Sequence, residues 1–325
     1  MKGFGKDIAI AFLLGVVIPA VAIQAAVLHR AAAQSKSTPV LMEESEDQTE
    51  SVRNFREIRF REKGGEVSSM DLEAYLVGAV LGEMPADFEP EALKAQAVAA
   101  RTYAWKVYST GIKHGDGSVC TDAACCQAYC SPKEYLEKGG ALASVEKIRA
   151  AVLDTANLVL TYEGTLIEAT YFSCSGGKTE DAVAVWGNDF PYLQSVESPG
   201  EEASAYYEDT VIFTREQLES ALGVSLGEDA SGWFGEPTYT EGDGVETIRI
   251  GTELFSGIEL RRLLGLRSTA FQVDFDGDTA VFATRGYGHR VGMSQYGADA
   301  MAADGADYRM ILAHYYSGTE LTTLE

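Results

Sequence analysis

From Ile8 to Leu28 the chain carries no charge, and its polarity changes abruptly on both sides. That run matches the roughly 20 residues that cross a bilayer as a helix. Lys2 and Lys6 precede it, which places residues 1–7 inside and everything after 28 outside. A cleaved signal peptide, with Ala31–Ala33 serving the peptidase, is the competing reading. The run is long for a signal core, so a retained single-pass membrane anchor at 8–28 is expected. Residues 29–56 are polar and acidic without apolar periodicity, and read as a flexible tether.

From residue 57 the apolar pattern acquires a period. "EIRFREKGGEV" predicts two short strands about Gly64-Gly65. Leu72, Tyr75, Leu76, Ala79, Val80 and Glu83 recur at three and four, one face of a helix that Pro85 ends. A second helix is predicted from near Pro90 to Gly111, with Leu93, Ala97, Arg101, Ala104 and Tyr108 on one face. Residues 112–132 read as loop. "VEKIRAAVLDTA" predicts a helix, and "LVLTYEGTLIEATYF" two strands about Glu163-Gly164. Residues 205–285 mix strands and turns with one short helix at "FSGIELRRLLG". The last stretch, from Met293, predicts one or two helices. Strands and helices do not alternate regularly and no repeat is present, so the expected fold is α+β: one large mixed domain over 57–325.

Charge narrows the partners. The 325 residues carry a formal net charge of −23. A surface so acidic argues against nucleic acid and against docking on anionic lipid through basic patches.

Glu83 is the anomaly in the pattern, a carboxylate on an apolar helix face. Desolvation there raises its pKa, and the negative end of the helix dipole acts in the same direction. A carboxyl that keeps its proton near neutrality suits general-acid work. A helix-end Glu in solvent, or one paired with Arg101, is the plainer alternative. "RGYGHRVGMSQYGA" surrounds His289, Ser294, Gln295 and Tyr296 with glycines. Such a loop suits sugar recognition, or simply a tight helix entry around a core His. "YFSCSGGKTED" places Ser173 and Ser175 before a Gly pair. Trp186 and Tyr192 beyond it fit either sugar stacking or core packing. A Ser294 hydrolase using His289 or His314 is disfavoured, because "GMSQYG" is not G-x-S-x-G.

Five cysteines, Cys120, Cys125, Cys126, Cys130 and Cys174, leave two readings open: local disulfides, or a zinc site with thiolate ligands. "DFDGD" at 274–278 reads as a turn, because position twelve of a calcium loop would be Arg285.

"EMPADFEPEALKAQAVAARTYA" and "GHRVGMSQYGA", with "SGGKTED" and "PYLQSVESP" between them, resemble the stage II sporulation protein D family over about Glu57 to Gly318. The resemblance implies a membrane-anchored lytic transglycosylase, a lyase cutting glycosidic bonds of peptidoglycan glycan strands already freed of stem peptides, during engulfment in endospore formation. It implies Glu83 of "EMP" as the catalytic acid, and Arg101, Ser173, Ser175, His289, Gln295 and Tyr296 as substrate-binding. It implies zinc held by Cys120 and Cys126, structural rather than required for the chemistry. Implied partners are the stage II sporulation protein P amidase and stage II sporulation protein M. The implied location is the mother-cell membrane, facing the space around the forespore. Related domains are named as amidase enhancers, so a non-catalytic amidase activator is the alternative. The chain departs from the pattern at Arg290, where Gly is usual, at Phe172, where several members carry His, and at Cys125, where His is common.

Overall fold

Asp71 ends a strand and caps a helix in one residue: its carboxylate accepts the Ala74 N–H at 3.0 Å, satisfying one of the donors a helix start leaves free. In the computed structural model, which describes residues 56–62 and 65–324, this junction opens the main core. The expected anchor and nearly all of the tether lie outside the described residues. Among the described residues no helix is long and apolar enough to cross a membrane.

The expected hairpin is β1 (Glu57–Arg61) and β2 (Val67–Asp71), antiparallel, with Ile58 and Phe60 turned into the core. Helices α1 (Leu72–Glu83) and α2 (Pro90–Thr110) follow. Pro90 starts α2 where no N–H is needed, and Gly111 ends it at φ 65°. Both helices are buried on more than one face, not along a single stripe. The reason is position: α2 touches α1, three later helices and later strands, and its alanines keep those neighbours close. Within the expected loop, β3 (Val119–Cys120) pairs parallel with β1; two residues are too few to leave a period. Next come α3 (Pro132–Glu137) and α4 (Leu142–Asp154), then β4 (Leu158–Tyr162) and β5 (Thr165–Leu166). Glu163 and Gly164 join that hairpin at φ 49° and 74°, the two positive values a two-residue primed turn demands.

After β6 (Tyr171–Phe172) and α5 (Ala182–Trp186) the chain enters a second, smaller apolar cluster. It comprises β7 (Glu208–Thr214), α6 (Arg215–Leu222), β8 (Thr238–Tyr239), β9 (Val245–Ile250), β10 (Glu253–Ser256), α7 (Gly257–Leu264), β11 (Phe271–Asp276) and β12 (Thr279–Arg285). Trp233, Leu260, Phe271 and Phe282 fill it. The "DFDGD" turn joins β11 to β12. The chain then returns through β13 (Met293–Ser294), α8 (Gln295–Ala303) and α9 (Tyr308–Tyr315) to β14 (Glu320–Thr323), antiparallel to β4. The architecture is mixed α+β, as the irregular order of elements predicts.

One pairing positions the site. β13 runs parallel to β6, with Met293 opposite Tyr171 and Ser294 opposite Phe172. The two glycine-rich stretches, more than a hundred residues apart in sequence, therefore lie side by side.

Candidate functional site: a cleft around Glu83

Gly78 and Gly82 leave one side of α1 bare, and the chain at Ala128–Tyr129 lies against it. A Cβ on Gly82 would come within 2.7 Å of the Tyr129 backbone nitrogen. This contact brings the Ala128 N–H to Glu83 Oε1 at 2.5 Å. The Tyr171 hydroxyl is a second donor to the same carboxyl. Tyr171 is itself held by Gln127 Nε2 at 2.7 Å, and Gln127 Oε1 accepts from Tyr75 at 2.9 Å. Burial pushes the Glu83 pKa up while the two donors pull it down, and burial wins. Arg101 is not its partner. Substituting Gly82→Ala should displace the Ala128 segment. Any reaction that depends on the placement of the Glu83 carboxyl should then slow roughly 10- to 100-fold, since misplacement by about 1 Å costs on that scale; steady-state assay against parent protein checks this.

Glu83 opens into a cleft of about 930 Å³. Ser173, His289, Gln295 and Tyr296 line it too, so five of the seven residues expected as catalytic or substrate-binding meet there, beside Cys126 of the expected metal pair. Among the described residues lining the cleft, Glu83 is the only carboxylate. Trp186, Tyr206 and Tyr287 stand at its walls with 39%, 40% and 45% of their surface exposed, flat faces suited to sugar rings. Tyr192, in contrast, is core. His289 packs between Phe172 and Trp186. Its Nδ1 accepts the Val291 N–H at 3.1 Å, which leaves the proton of the neutral ring on Nε2. Burial, reinforced by the charge of Arg261, pushes its pKa down to about 4, so the ring is neutral at physiological pH.

Arg101 and Ser175 do not face the cleft. Arg101 is fully buried beside α4 and β4, with Nε at 3.0 Å and Nη2 at 2.5 Å from the two oxygens of Glu73. A fork-to-carboxylate pair consumes the donors a sugar would need. Ser175 is also buried, donating to Glu201 at 2.8 Å. Glu201 accepts from the Ser175 and Gly176 N–H groups, the Ser198 hydroxyl and the Cys174 thiol as well. That one carboxylate shapes the loop whose neighbour, Ser173, lines the cleft. Ser294 caps α8 through Gly297 N–H, and His314 bonds the Glu197 carbonyl, so neither forms a nucleophile–base pair.

All five cysteines are free thiols. The ligand atoms of His114, Cys120, Cys125 and Cys126 lie within 4.8 Å of one another. The Sγ atoms of Cys125 and Cys126 are 3.6 and 3.7 Å from His114 Nε2. Tetrahedral zinc with bonds of about 2.0–2.3 Å needs donor separations of this order, and three sulfurs with one imidazole are a zinc donor set. Burial raises the Cys126 thiol to about 12, so an ion binding here must displace its proton. The sequence indicated Cys120 and Cys126; the structure adds His114 and Cys125, joined to them only by the fold of residues 112–126.

Gln127, Tyr171 and Glu201 had no sequence signal as site residues. Gln127 and Glu201 sit in loops without period, and Tyr171 lies in a two-residue strand.

A family model described as "Stage II sporulation protein" matches residues 61–162. The chain is 41% identical over 268 residues to stage II sporulation protein D of Bacillus subtilis (strain 168), covering 81% of this chain and 78% of the relative. The Bacillus amyloliquefaciens protein of that name is 39% identical over 81% of this chain and 77% of its own. The "Amidase enhancer" of Bacillus subtilis (strain 168) is 29% identical over 76% of this chain and 40% of its own.

Proposed function

This chain belongs to the stage II sporulation protein D family, and from that membership and its single-carboxylate cleft we propose that it is a peptidoglycan lytic transglycosylase. The lone Glu83 carries the reading. A glycosidase that activates water, or forms a glycosyl-enzyme, needs two carboxylates flanking the bond. A lytic transglycosylase needs one, because the muramyl 6-hydroxyl attacks the anomeric carbon of its own sugar. Glu83, protonated, gives its proton to the glycosidic oxygen as the C–O bond breaks. The resulting carboxylate takes the proton from the 6-hydroxyl as the new C1–O6 bond closes, so the acid is restored and no water is consumed. Intramolecular attack supplies much of the acceleration. The Ala128 N–H and Tyr171 hydroxyl fix the carboxyl's orientation and stabilise it after it gives up the proton. Neutral His289, Gln295, Tyr296 and Ser173 offer hydrogen bonds that position the chain, and the exposed aromatics offer stacking.

The preferred substrate in this reading is the peptide-free glycan strand, met at the outer face of the mother-cell membrane. Peptide removal by the stage II sporulation protein P amidase would precede it, with stage II sporulation protein M in the same assembly. Incubating purified protein with peptide-free strands and weighing the products tests this. Fragments ending in 1,6-anhydro-muramyl residues, lighter by one water than hydrolytic ends, are expected; reducing ends would sink it. A second reading, activation of a cell-wall amidase, is favoured by the relative named amidase enhancer. An activator alone would release nothing in the same incubation.

His114, Cys120, Cys125 and Cys126 are the residues that would hold zinc, whose role here is to tie the 112–126 loop, and through it Ala128, against α1. Purified protein is expected to carry about one zinc per chain. Chelation, or Cys120→Ser, should remove it and lower the Tm by roughly 5–10 °C. Elemental analysis with thermal unfolding checks both, and native protein free of zinc would defeat the assignment.

A further inference from the structure

Lys113 stands two residues beyond Gly111, the left-handed residue that ends α2 at φ 65°. It is exposed and lines the cleft. The turn that carries it is closed by the Gly117 N–H, which donates to the His114 carbonyl at 2.8 Å. The ring of His114, the next residue, lies 3.6 and 3.7 Å from the thiols of Cys125 and Cys126, which line the same cleft. The backbone at Lys113 is thereby held beside the Ala123–Gln127 wall, while its ammonium rides on a flexible four-carbon stem.

Among the described residues lining the cleft, Lys113 is the only cation, since the His289 ring is neutral, and Glu83 is the only acid. No described carboxylate comes within ion-pair distance of Lys113, whereas Lys94 and Lys106 meet Glu91 and Glu168 at 2.9 and 2.7 Å. Other surface cations also stand without an acid; position sets Lys113 apart, because its charge faces the space a bound polymer would fill. A chain of formal net charge −23 repels an anionic polymer as a whole. One positive group on the wall of the cleft then decides where such a polymer can rest its charge.

We infer that Lys113 is the group that selects a free carboxylate on the substrate, the lactyl group of a muramyl residue. This inference rests on the reading that the cleft takes glycan strands. The chemistry then separates two strands that share a backbone. With the stem peptide attached, the lactyl carbonyl is an amide, neutral and followed by bulk. With the peptide removed, it is a carboxylate on every second sugar. An ammonium with three donors on a flexible stem meets a carboxylate over a range of angles, which suits a lactyl arm that itself rotates. Selectivity for peptide-free strands resides, on this account, in the loop after α2, apart from the acid that breaks the bond.

The test measures binding in a Glu83→Gln background, so that no strand is consumed. Peptide-free strands are compared with the same strands whose lactyl carboxylates have been capped as methylamides. The expected result is a preference of roughly 3- to 5-fold for the free carboxylate, the worth of an ion pair that keeps part of its water. Lys113→Gln should abolish that preference by weakening only free-carboxylate binding, Lys113→Arg should keep it, and Lys113→Glu should reverse it. Raising the salt to about 0.5 M should shrink the preference and leave capped-strand binding in place. The comparison of the two strands with Glu83→Gln alone needs no change at Lys113, so it decides even if a Lys113 variant misfolds. Equal binding of both strands, or a preference that survives Lys113→Gln, overturns the assignment while leaving the transglycosylase reading intact. Failure of both strands to bind overturns the glycan reading together with it.

Discussion

Replacing Glu83 with Gln is expected to lower strand cleavage by roughly 10²- to 10⁴-fold, the range of a lost general acid–base group, while binding persists. Gln keeps the shape and can still accept the Ala128 N–H, but it has no proton to give and none to take back. Cleavage by the parent should also decline as pH rises through the raised pKa of Glu83, because the first step needs the protonated form. The same substitution should make the protein more stable at neutral pH. Burial raises the folded-state pKa of Glu83 above its ordinary value, so the folded chain holds this proton more tightly than the unfolded chain does. Stability from that proton is fully present below the unfolded carboxyl value of about 4.3 and is lost as pH rises through the folded value. At pH 7 the ionised group is therefore a liability that Gln removes, worth about 1 kcal/mol by the usual scale of active-site trade-offs. Thermal unfolding at pH 4 and pH 7 checks the sign: the advantage of Glu83→Gln should be present at pH 7 and shrink toward pH 4. A difference between the two proteins that does not change with pH would contradict the buried-acid reading.

Arg290→Met is expected to destabilise the fold by about 3–5 kcal/mol, the cost of stripping one partner from a buried ion pair. Arg290 is 1% exposed. Its Nε donates to the Ser175 carbonyl at 2.8 Å, and Nη2 to the carbonyls of Lys178 and Gly242 at 2.7 and 2.6 Å. Nη1 meets Glu180 at 3.4 Å. One side chain thus fastens the cleft loop, the return strand and the Gly242 turn of the second core. Glu180 leans on it: burial raises its pKa and Arg290 is the first influence opposing that, through Oε1, which also accepts from the Thr240 hydroxyl at 2.7 Å, while Oε2 has no hydrogen-bond partner among the described residues. Arg290 also holds φ at 65°, a backbone strain of about 1–2 kcal/mol for a residue with a Cβ. Glycine, the usual occupant in the family pattern, would relieve that strain but forfeit all four contacts, so Arg290→Gly should destabilise too. Adding Glu180→Gln to Arg290→Met should recover part of the loss, because the stranded charge is gone. Urea unfolding of the parent, Arg290→Met, Glu180→Gln and their double measures the coupling. An Arg290→Met variant within 1 kcal/mol of the parent would sink the account.

The sequence makes regular elements legible where a period or a turn signal runs long enough. α1 and α2 begin and end where Asp71, Pro85, Pro90 and Gly111 punctuate the pattern. The hairpin at Glu163-Gly164 and the turn at Gly277 follow from local backbone demands. What period cannot convey is contact between distant stretches. The parallel pairing of β6 with β13 rests on four residues, and α6 is a short amphipathic helix in a stretch dominated by strand signals. At the site, Glu83 stood out because a charge on an apolar face is a local anomaly. Arg101 shared that kind of anomaly and yet is tied to Glu73, since one buried charge looks the same in sequence whether a cleft or a salt bridge awaits it. Gln127 and Tyr171 became visible only once α1 lost its side chains at Gly78 and Gly82 to the loop that carries Gln127.

The second core leaves and rejoins the main one at Glu208 and Arg285, which face each other as register partners across β7 and β12. Strands so paired lie about 5 Å apart, so the inserted segment is attached like a handle whose two feet nearly touch. A change of length within it would leave the spacing of those two feet, and the main core beneath them, unaltered.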